Sequence, residues 1–192
     1  MGVTGTVGIF GGAFDPPHDG HVALAREAII HFGLARLLVR VVADPGHKEV
    51  ETPAQIRLAL AELAFATLDE AEVSLDPFAR TVDSLEALGL ADPVFLIGAD
   101  ELAAFPAWTR PDRVLELARI GAATRPGSDL DDLDRVVRGL VRPERVELFP
   151  ITPLAISSSD IRERVAAGLP IDDLVPAAVA AEIRRLGLYR AR

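Results

Sequence analysis

The stretch VGIFGGAFDPPHDGH, residues 7–21, decides how the rest of the chain is interpreted. Its first part, Val7–Phe10, is a short apolar run of the kind found in strands that are buried on both faces. Glycines and prolines then end the run abruptly, and from Gly20 to Phe32 apolar residues recur at steps of three and four. The stretch therefore predicts a strand, a tight loop and a helix.

The loop has the features of a phosphate-binding corner. Its glycines leave backbone N–H groups accessible, and the helix start adds the positive end of a dipole. His18 and His21 are three residues apart and share one face of the helix start. Two such imidazoles could bind a metal, exchange protons or hold the charge of a phosphoryl group in transfer. Because Asp19 and Gly20 stand between them, the HExxH zinc motif is absent, and phosphoryl transfer is favoured over a metal site and over two solvated histidines.

Composition limits the classes of protein that are compatible with the sequence. A chain of 192 residues with 49% hydrophobic content supports one core, so one domain is expected over residues 1–192. The net charge of −9 argues against a nucleic-acid partner, whereas a small anionic substrate needs only a few local cations. The chain has no Cys and no apolar run of the roughly 18 residues that a membrane span requires, and MGVTGTVGIF shows no basic region followed by a long apolar core. We therefore expect a cytoplasmic protein without a membrane partner, and composition leaves homo-oligomerisation undecided.

Strands and helices alternate along the whole chain. Besides the first strand, the apolar patterns predict strands over 37–42, 72–75, 93–97, 119–124 and 145–149. The predicted helices are 20–32, one capped by Thr52, one ending at Gly89, one after the FPAW loop, 129–140, one starting in ISSSDIR, and 177–186. Such alternation predicts an α/β fold of the Rossmann-like, doubly wound type, with a mainly parallel sheet and helices on both faces.

Polar groups follow four of the predicted strands. GGAFDPPHDGH comes after the first strand, PGHK after the second, GAD after the fourth and ISSSDIR after the sixth. Lys48, in PGHK, is the only lysine of the chain. Because the carboxyl ends of parallel strands share one edge of the sheet, these loops should meet there. Asp100, in GAD, suits a ribose hydroxyl, although an ordinary polar residue in a loop fits the sequence as well.

Two of these loops match a known family. GGAFDPPHDGH resembles the signature of the HxGH nucleotidyltransferases, which join a nucleoside monophosphate from ATP or CTP to a phosphate-bearing acceptor. ISSSDIR resembles the second signature of that family, ISSTxIR, with Ser159 in place of Thr. The resemblance implies that His18, His21, Lys48 and Arg162 are catalytic. It also implies an ATP site formed by Gly11, Gly12, Phe14, His18, His21, Gly98, Asp100, Ser157, Ser158, Ser159 and Arg162.

The implied reaction is an in-line attack of an acceptor phosphate oxygen on the α-phosphorus of the nucleotide, with pyrophosphate as the leaving group. ATP is then a substrate, and Mg²⁺ is expected to be held mainly through its phosphates rather than by protein ligands. Asp15 is interpreted as a residue that shapes the loop, because Asp before Pro is common in turns. A nucleotide-binding regulatory module without turnover is the alternative from a different class.

The acceptor is indicated by a further likeness. FPAW, with Trp108, and a loop ending in HK resemble the bacterial nicotinate-nucleotide adenylyltransferases, which implies an acceptor site formed by Lys48, Arg80, Thr81 and Trp108. The sequence departs from that group at Ala79 and Arg80, where Ser and Tyr are usual. We therefore expect AMP transfer from ATP to nicotinate mononucleotide in NAD biosynthesis, with nicotinamide mononucleotide, FMN and phosphopantetheine as the alternative acceptors.

Overall fold

The computed structural model describes residues 5–46, 50, 52–125, 127, 129–152, 154 and 156–191. Among the described residues, six strands form one fully parallel sheet with the order β3-β2-β1-β4-β5-β6. The strands are β1 (Thr6–Gly12), β2 (Leu34–Val42), β3 (Ala71–Asp76), β4 (Val94–Gly98), β5 (Arg119–Thr124) and β6 (Val146–Pro150).

Helices connect the strands. They are α1 (Asp19–Phe32), α2 (Ala54–Phe65), α3 (Thr81–Leu88), α4 (Ala99–Ala104), α5 (Pro111–Leu117), α6 (Leu130–Arg138), α7 (Ser158–Ala166) and α8 (Ala177–Leu186). Short 3₁₀ turns cover Phe105–Ala107 and Pro143–Arg145. Among the described helices, none is both long and apolar enough to cross a membrane.

The sheet is covered on both faces, and alternate residues of each strand serve different cores. In β4, Val94 and Leu96 belong to the core that packs against α1, α2, α7 and α8. Phe95 and Ile97 belong to the core on the opposite face, with α3, α4, α5 and α6. The predicted doubly wound α/β class is therefore confirmed.

Most predicted elements are present, and the differences have physical reasons. β5 and α8 have the predicted bounds, whereas β2 begins at Leu34, earlier than expected. Helix α4 was predicted as a loop, because six residues are too few to display a helical repeat. The predicted N-cap at Thr52 is wrong: Pro53 holds that position.

The order of the strands reverses at β1, which pairs with β2 on one side and with β4 on the other. The connections that leave β1 and β4 therefore diverge from adjacent strands and leave a crevice above their carboxyl ends. Gly11 and Gly12 end β1 at this crevice, and Gly98 ends β4 beside them. Three of the predicted nucleotide-binding glycines thus lie at the switch point of the sheet.

Gly121, on β5, provides a test of how tightly the sheet packs against α1. A Cβ at this position would lie 2.8 Å from the Phe32 ring and 3.0 Å from Leu96 Cδ2. We expect Gly121→Ala to lower the free energy of unfolding by about 1–3 kcal/mol, because the ring must shift within a packed interior. Urea unfolding followed by circular dichroism measures this change. Gly46→Ala, where an added Cβ meets nothing within 4 Å, is the control, and equal losses in both variants would contradict the packing described.

Candidate active site

The signature loop, residues 11–18, runs from the end of β1 to the N-cap of α1. His18 caps α1 in an extended conformation, with φ −144° and ψ 171°. Its side chain is buried, with 7% of its surface exposed, and its ring stacks on that of His21 with centroids 3.7 Å apart. The predicted histidine pair is therefore one stacked unit at the start of a helix.

His21 is held in one orientation. Its Nδ1 accepts a hydrogen bond from the backbone N–H of His18 at 3.2 Å. A nitrogen that accepts cannot carry the proton, so the neutral ring carries its hydrogen on Nε2. The rings of Phe14 and Phe10 pack beside it, with centroids 5.1 and 6.0 Å away. Phe14 itself is buried, so its ring supports His21 from within the packed interior.

The charge state of His18 follows from its burial. Burial lowers the pKa of His18 from 6.5 to about 4, and the nearby Asp160 carboxylate opposes this effect. The Nδ1 atom is buried and has no hydrogen-bond partner within the described part of the chain. His18 is therefore neutral near pH 7 until a ligand with strong negative charge approaches.

The start of α7 contacts the signature loop directly. The Ser158 hydroxyl donates to the carbonyl oxygen of Pro16 at 2.8 Å. The Arg162 Nη1 donates to the carbonyl oxygen of Asp15 at 2.7 Å. These bonds join residues more than 140 positions apart, so the two family motifs are in direct contact.

The remaining residues of the second motif arrange the helix start. Ser157 is the N-cap of α7, and its hydroxyl accepts from the N–H of Asp160 at 3.1 Å. Arg162 Nη2 donates to the Ser159 hydroxyl at 3.1 Å. A guanidinium has five N–H donors, and the bonds of Arg162 to Ser159 and to Asp15 use two of them, so donors remain for a phosphate. The N-termini of α1 and α7 thus meet at one loop, together with a cation.

The supporting residues beneath the loop were not predicted. Arg57, in α2, is 1% exposed and donates to the carbonyl oxygens of Thr52, Ala13, Val42 and Ala43. Tyr189 donates its hydroxyl to Asp15 Oδ1 at 2.6 Å. One signal was available for Arg57: it shares a helix face with Leu60, Ala61 and Ala64, where a cation is unusual.

The predicted ribose site lies at the start of α4. The N–H of Gly98 donates to Glu101 Oε2 at 3.0 Å, and Asp100 stands exposed in the first turn. Asp100 forms an ion pair with Arg125, just after β5, at 3.5 Å. Arg125 was not predicted, and it adds a cation at the same edge of the sheet.

The predicted acceptor residues lie on two segments on the α3 side of the sheet. Trp108 packs against Phe105 and Phe95, with ring centroids 5.3 and 6.3 Å apart. Thr81 begins α3 and is half-buried, and Arg80 caps that helix and is exposed. Lys48 lies outside the described residues.

Exposed ion pairs connect α3 to the Trp108 segment. Arg110, in a left-handed conformation with φ 53°, binds Asp83 at 3.2 Å and Glu86 at 3.3 Å. Arg113 binds Glu86 at 3.0 Å. These pairs join the two segments that carry Thr81 and Trp108, although each exposed pair stabilises the fold only weakly.

The described residues contain no group of three or more His, Asp or Glu side chains that could hold an ion. The Asp15 carboxylate is engaged by Tyr189, which agrees with its predicted role in shaping the loop.

The chain is similar to known proteins over most of its length. The cytidylyltransferase-like family matches residues 9–164. A probable nicotinate-nucleotide adenylyltransferase of Thermomicrobium roseum is 40% identical over 195 residues, covering 96% of this chain and 91% of that protein. A protein of the same name from Roseiflexus sp. (strain RS-1) is 40% identical over 196 residues, covering 96% and 98%. The solved structure of Plasmodium falciparum nicotinic acid mononucleotide adenylyltransferase complexed with NaAD covers 96% of this chain and 97% of its own, with a TM-score of 0.78 and 17% identity.

A parallel, doubly wound sheet with an HxGH corner at its switch point defines the class of the nucleotidyltransferases. The chain belongs to the cytidylyltransferase-like family. The two relatives named above, which align with this chain over more than nine-tenths of their length, are named probable nicotinate-nucleotide adenylyltransferases, so the resemblance seen in the two motifs is confirmed. The solved structure, at 17% identity, supports the fold.

The buried state of His18 predicts a pH dependence of stability. Between the folded pKa of about 4 and the ordinary 6.5, the unfolded chain binds a proton that the folded chain does not, so stability falls as the pH is lowered. From about pH 7 to about pH 5 this residue should remove about 2 kcal/mol from the free energy of unfolding. The variant His18→Asn keeps a residue that can cap the helix, and it should lose this part of the slope.

Urea unfolding at a series of pH values measures the difference. Burial also raises the pKa of Asp19, and this effect is present in both proteins, so it cancels in the comparison. The same pH dependence in the wild type and in His18→Asn would contradict a neutral, buried imidazole.

Proposed function

We propose that the protein transfers AMP from ATP to nicotinate mononucleotide and forms deamido-NAD and pyrophosphate. The observation that carries this proposal is the direct bonding of α7 to the signature loop through Ser158 and Arg162. It gathers two helix N-termini, two imidazoles and a guanidinium around one loop, which suits a polyphosphate. The name carried by the relatives at 40% identity supports the choice of acceptor.

In the proposed reaction, an oxygen of the acceptor phosphate forms a bond to the α-phosphorus of ATP. The bond between the α-phosphorus and the bridging oxygen breaks, and that oxygen leaves with pyrophosphate. No covalent enzyme intermediate is needed, so catalysis consists of orienting two anions and stabilising charge on the reacting oxygens. The residues proposed for this work are His18, His21, Arg162 and Lys48.

The neutral imidazoles have a defined part in this reaction. His21 presents Nε2–H as a hydrogen-bond donor, because its Nδ1 is occupied by the His18 N–H. A triphosphate next to His18 opposes the effect of burial and raises the pKa of this residue. The two imidazoles therefore interact most strongly with the species that carries the most negative charge. This interaction favours the transition state over the free enzyme.

Mg²⁺ enters this proposal as part of the metal–nucleotide substrate. The donor set of the loop, made of N–H groups, imidazoles and a guanidinium, suits phosphate oxygens, and Asp15 is engaged by Tyr189. The ion would therefore be carried by the ATP phosphates, where it neutralises charge on the leaving group.

The two ends of the site would hold the two nucleosides. Gly98 and Asp100 are proposed for the ribose of ATP, beside the switch point of the sheet. Thr81, Arg80 and Trp108 are proposed for the pyridine mononucleotide, together with Lys48. Half-buried Trp108 offers an indole on which a pyridine ring can stack.

The function is tested by measuring pyrophosphate release with ATP, Mg²⁺ and either nicotinate or nicotinamide mononucleotide. We expect turnover with both mononucleotides. Nicotinate mononucleotide should saturate the enzyme at the lower concentration and give the higher kcat/KM. His18→Ala serves as the impaired control: its kcat should fall by about two orders of magnitude or more while ATP binding changes much less. Binding of ATP without release for any mononucleotide would support a regulatory module instead.

Arg80 gives a test of acceptor recognition. Its guanidinium is exposed at the N-cap of α3, beside Thr81, where it can reach a phosphate or carboxylate of the acceptor. Arg80→Ala should raise the KM for nicotinate mononucleotide by about three- to tenfold and leave the KM for ATP unchanged. Arg185→Ala, which removes an exposed cation on α8, is the matched control. An unchanged acceptor KM in Arg80→Ala would remove this residue from the site.

A further inference from the structure

The segment after α8 folds back onto the signature loop. Gly187 ends α8 in a left-handed conformation, and the N–H of Leu188 then bonds to the carbonyl of Ile183. Tyr189 is also left-handed, with φ 60°, a conformation that costs energy for a residue with a side chain. The bend brings its hydroxyl to Asp15, at the centre of the loop.

The bond between Tyr189 and Asp15 is buried. Asp15 is 5% exposed, and its Oδ1 accepts from the Tyr189 hydroxyl at 2.6 Å. Burial and the Asp15 carboxylate raise the pKa of Tyr189 well above its ordinary value, against a hydrogen bond from Thr52. The hydroxyl therefore keeps its proton near pH 7 and donates it to Asp15 Oδ1.

The same residue, Asp15, also contacts Arg162 through its backbone. Its carbonyl oxygen accepts from Arg162 Nη1, while its side chain accepts from Tyr189. Phe14, the residue before it, is left-handed with φ 49°. Asp15 is thus bonded through its side chain to the segment after α8 and through its carbonyl oxygen to Arg162.

We propose that Tyr189 is a positioning residue of the active site, whose hydroxyl fixes Asp15 so that the Asp15 carbonyl aims the Arg162 guanidinium at the phosphates. The inference rests on the proposed function for the role of Arg162. Tyr189 touches neither nucleotide in this scheme, and it acts through Asp15.

Packing alone gives a different expectation. Leu188 and Tyr189 pack against the core that holds α7 and α8, so the ring also contributes to stability. Tyr189→Phe keeps the ring and removes only the hydroxyl, which separates the two roles. If the ring acted only by packing, this variant would bind ATP and turn over like the wild type.

The test is a double-mutant cycle with Tyr189→Phe and Arg162→Lys. For each protein of the cycle, calorimetry measures the dissociation constant of ATP in the presence of Mg²⁺. We expect Tyr189→Phe to weaken ATP binding by about three- to tenfold in the wild-type background. In the Arg162→Lys background the same change should have almost no effect, because the guanidinium that it positions is gone. Equal factors in both backgrounds, or no loss in Tyr189→Phe, would overturn the proposal.

Val179→Ala is the control for stability. Val179 is fully buried in α8, and its truncation weakens the same helix without removing a polar contact to the loop. It should leave ATP affinity unchanged below its unfolding temperature. The cycle measures ATP binding and not turnover. A failure of the proposed acceptor chemistry would appear as absent pyrophosphate release in the wild type. That result does not depend on the coupling between Tyr189 and Arg162.

Discussion

The site depends on two hydrogen bonds that run from side chains of α7 to main-chain carbonyls of the signature loop. Ser158 donates to Pro16 and Arg162 donates to Asp15, and both bonds are partly buried. A carbonyl of a Pro-rich loop has no strand or helix partner of its own, so these donors satisfy groups that would otherwise remain unpaired in a partly buried position. In doing so they place the N-terminus of α7 next to that of α1. The meeting of the two helix N-termini thus follows from pairing the carbonyl groups of the loop.

Burial sets the chemical character of the corner. The net charge of the chain is negative, and the attraction for phosphate therefore depends on local groups rather than on the overall field. His18 is kept neutral by burial, and His21 is fixed by its bond to the His18 N–H. Permanent positive charge comes from Arg162 and from two helix dipoles, whereas the imidazoles gain charge only where the ligand supplies its opposite. Keeping the His18 imidazole neutral avoids an unpaired charge at that buried position in the free enzyme.

The sequence predicted the frame well because the apolar periodicities are strong. The strands, the long helices and the convergence of the loops after β1 and after β6 all follow from patterns within about ten residues. Helix α4 escaped because it is too short to show a period, and Thr52 was assigned as a cap although the helix starts one residue later. Family motifs then located His18, His21 and Arg162, whose contacts the structure provides.

What local patterns could not predict were the residues that act from a distance. Arg57 interrupts an apolar helix face, and its four carbonyl partners come from three separate segments of the chain. Tyr189 contacts a residue 174 positions away. Neither pairing has a periodic signature, because both depend on the order of the strands and on where α8 ends. Sequence reasoning identified the residues that resemble a motif and missed those that support it.

The contact between the segment after α8 and the signature loop near residue 15 has a consequence for synthesis on the ribosome. The loop is translated before Ser158, Arg162 and Tyr189, which lie more than 140 residues further along the chain. A nascent chain can assemble the first strands and helices long before these donors exist, so the corner for the nucleotide forms only after α7 and α8 have been made. Truncated products that stop before α7 would therefore carry the histidines without the groups that turn them into a binding site.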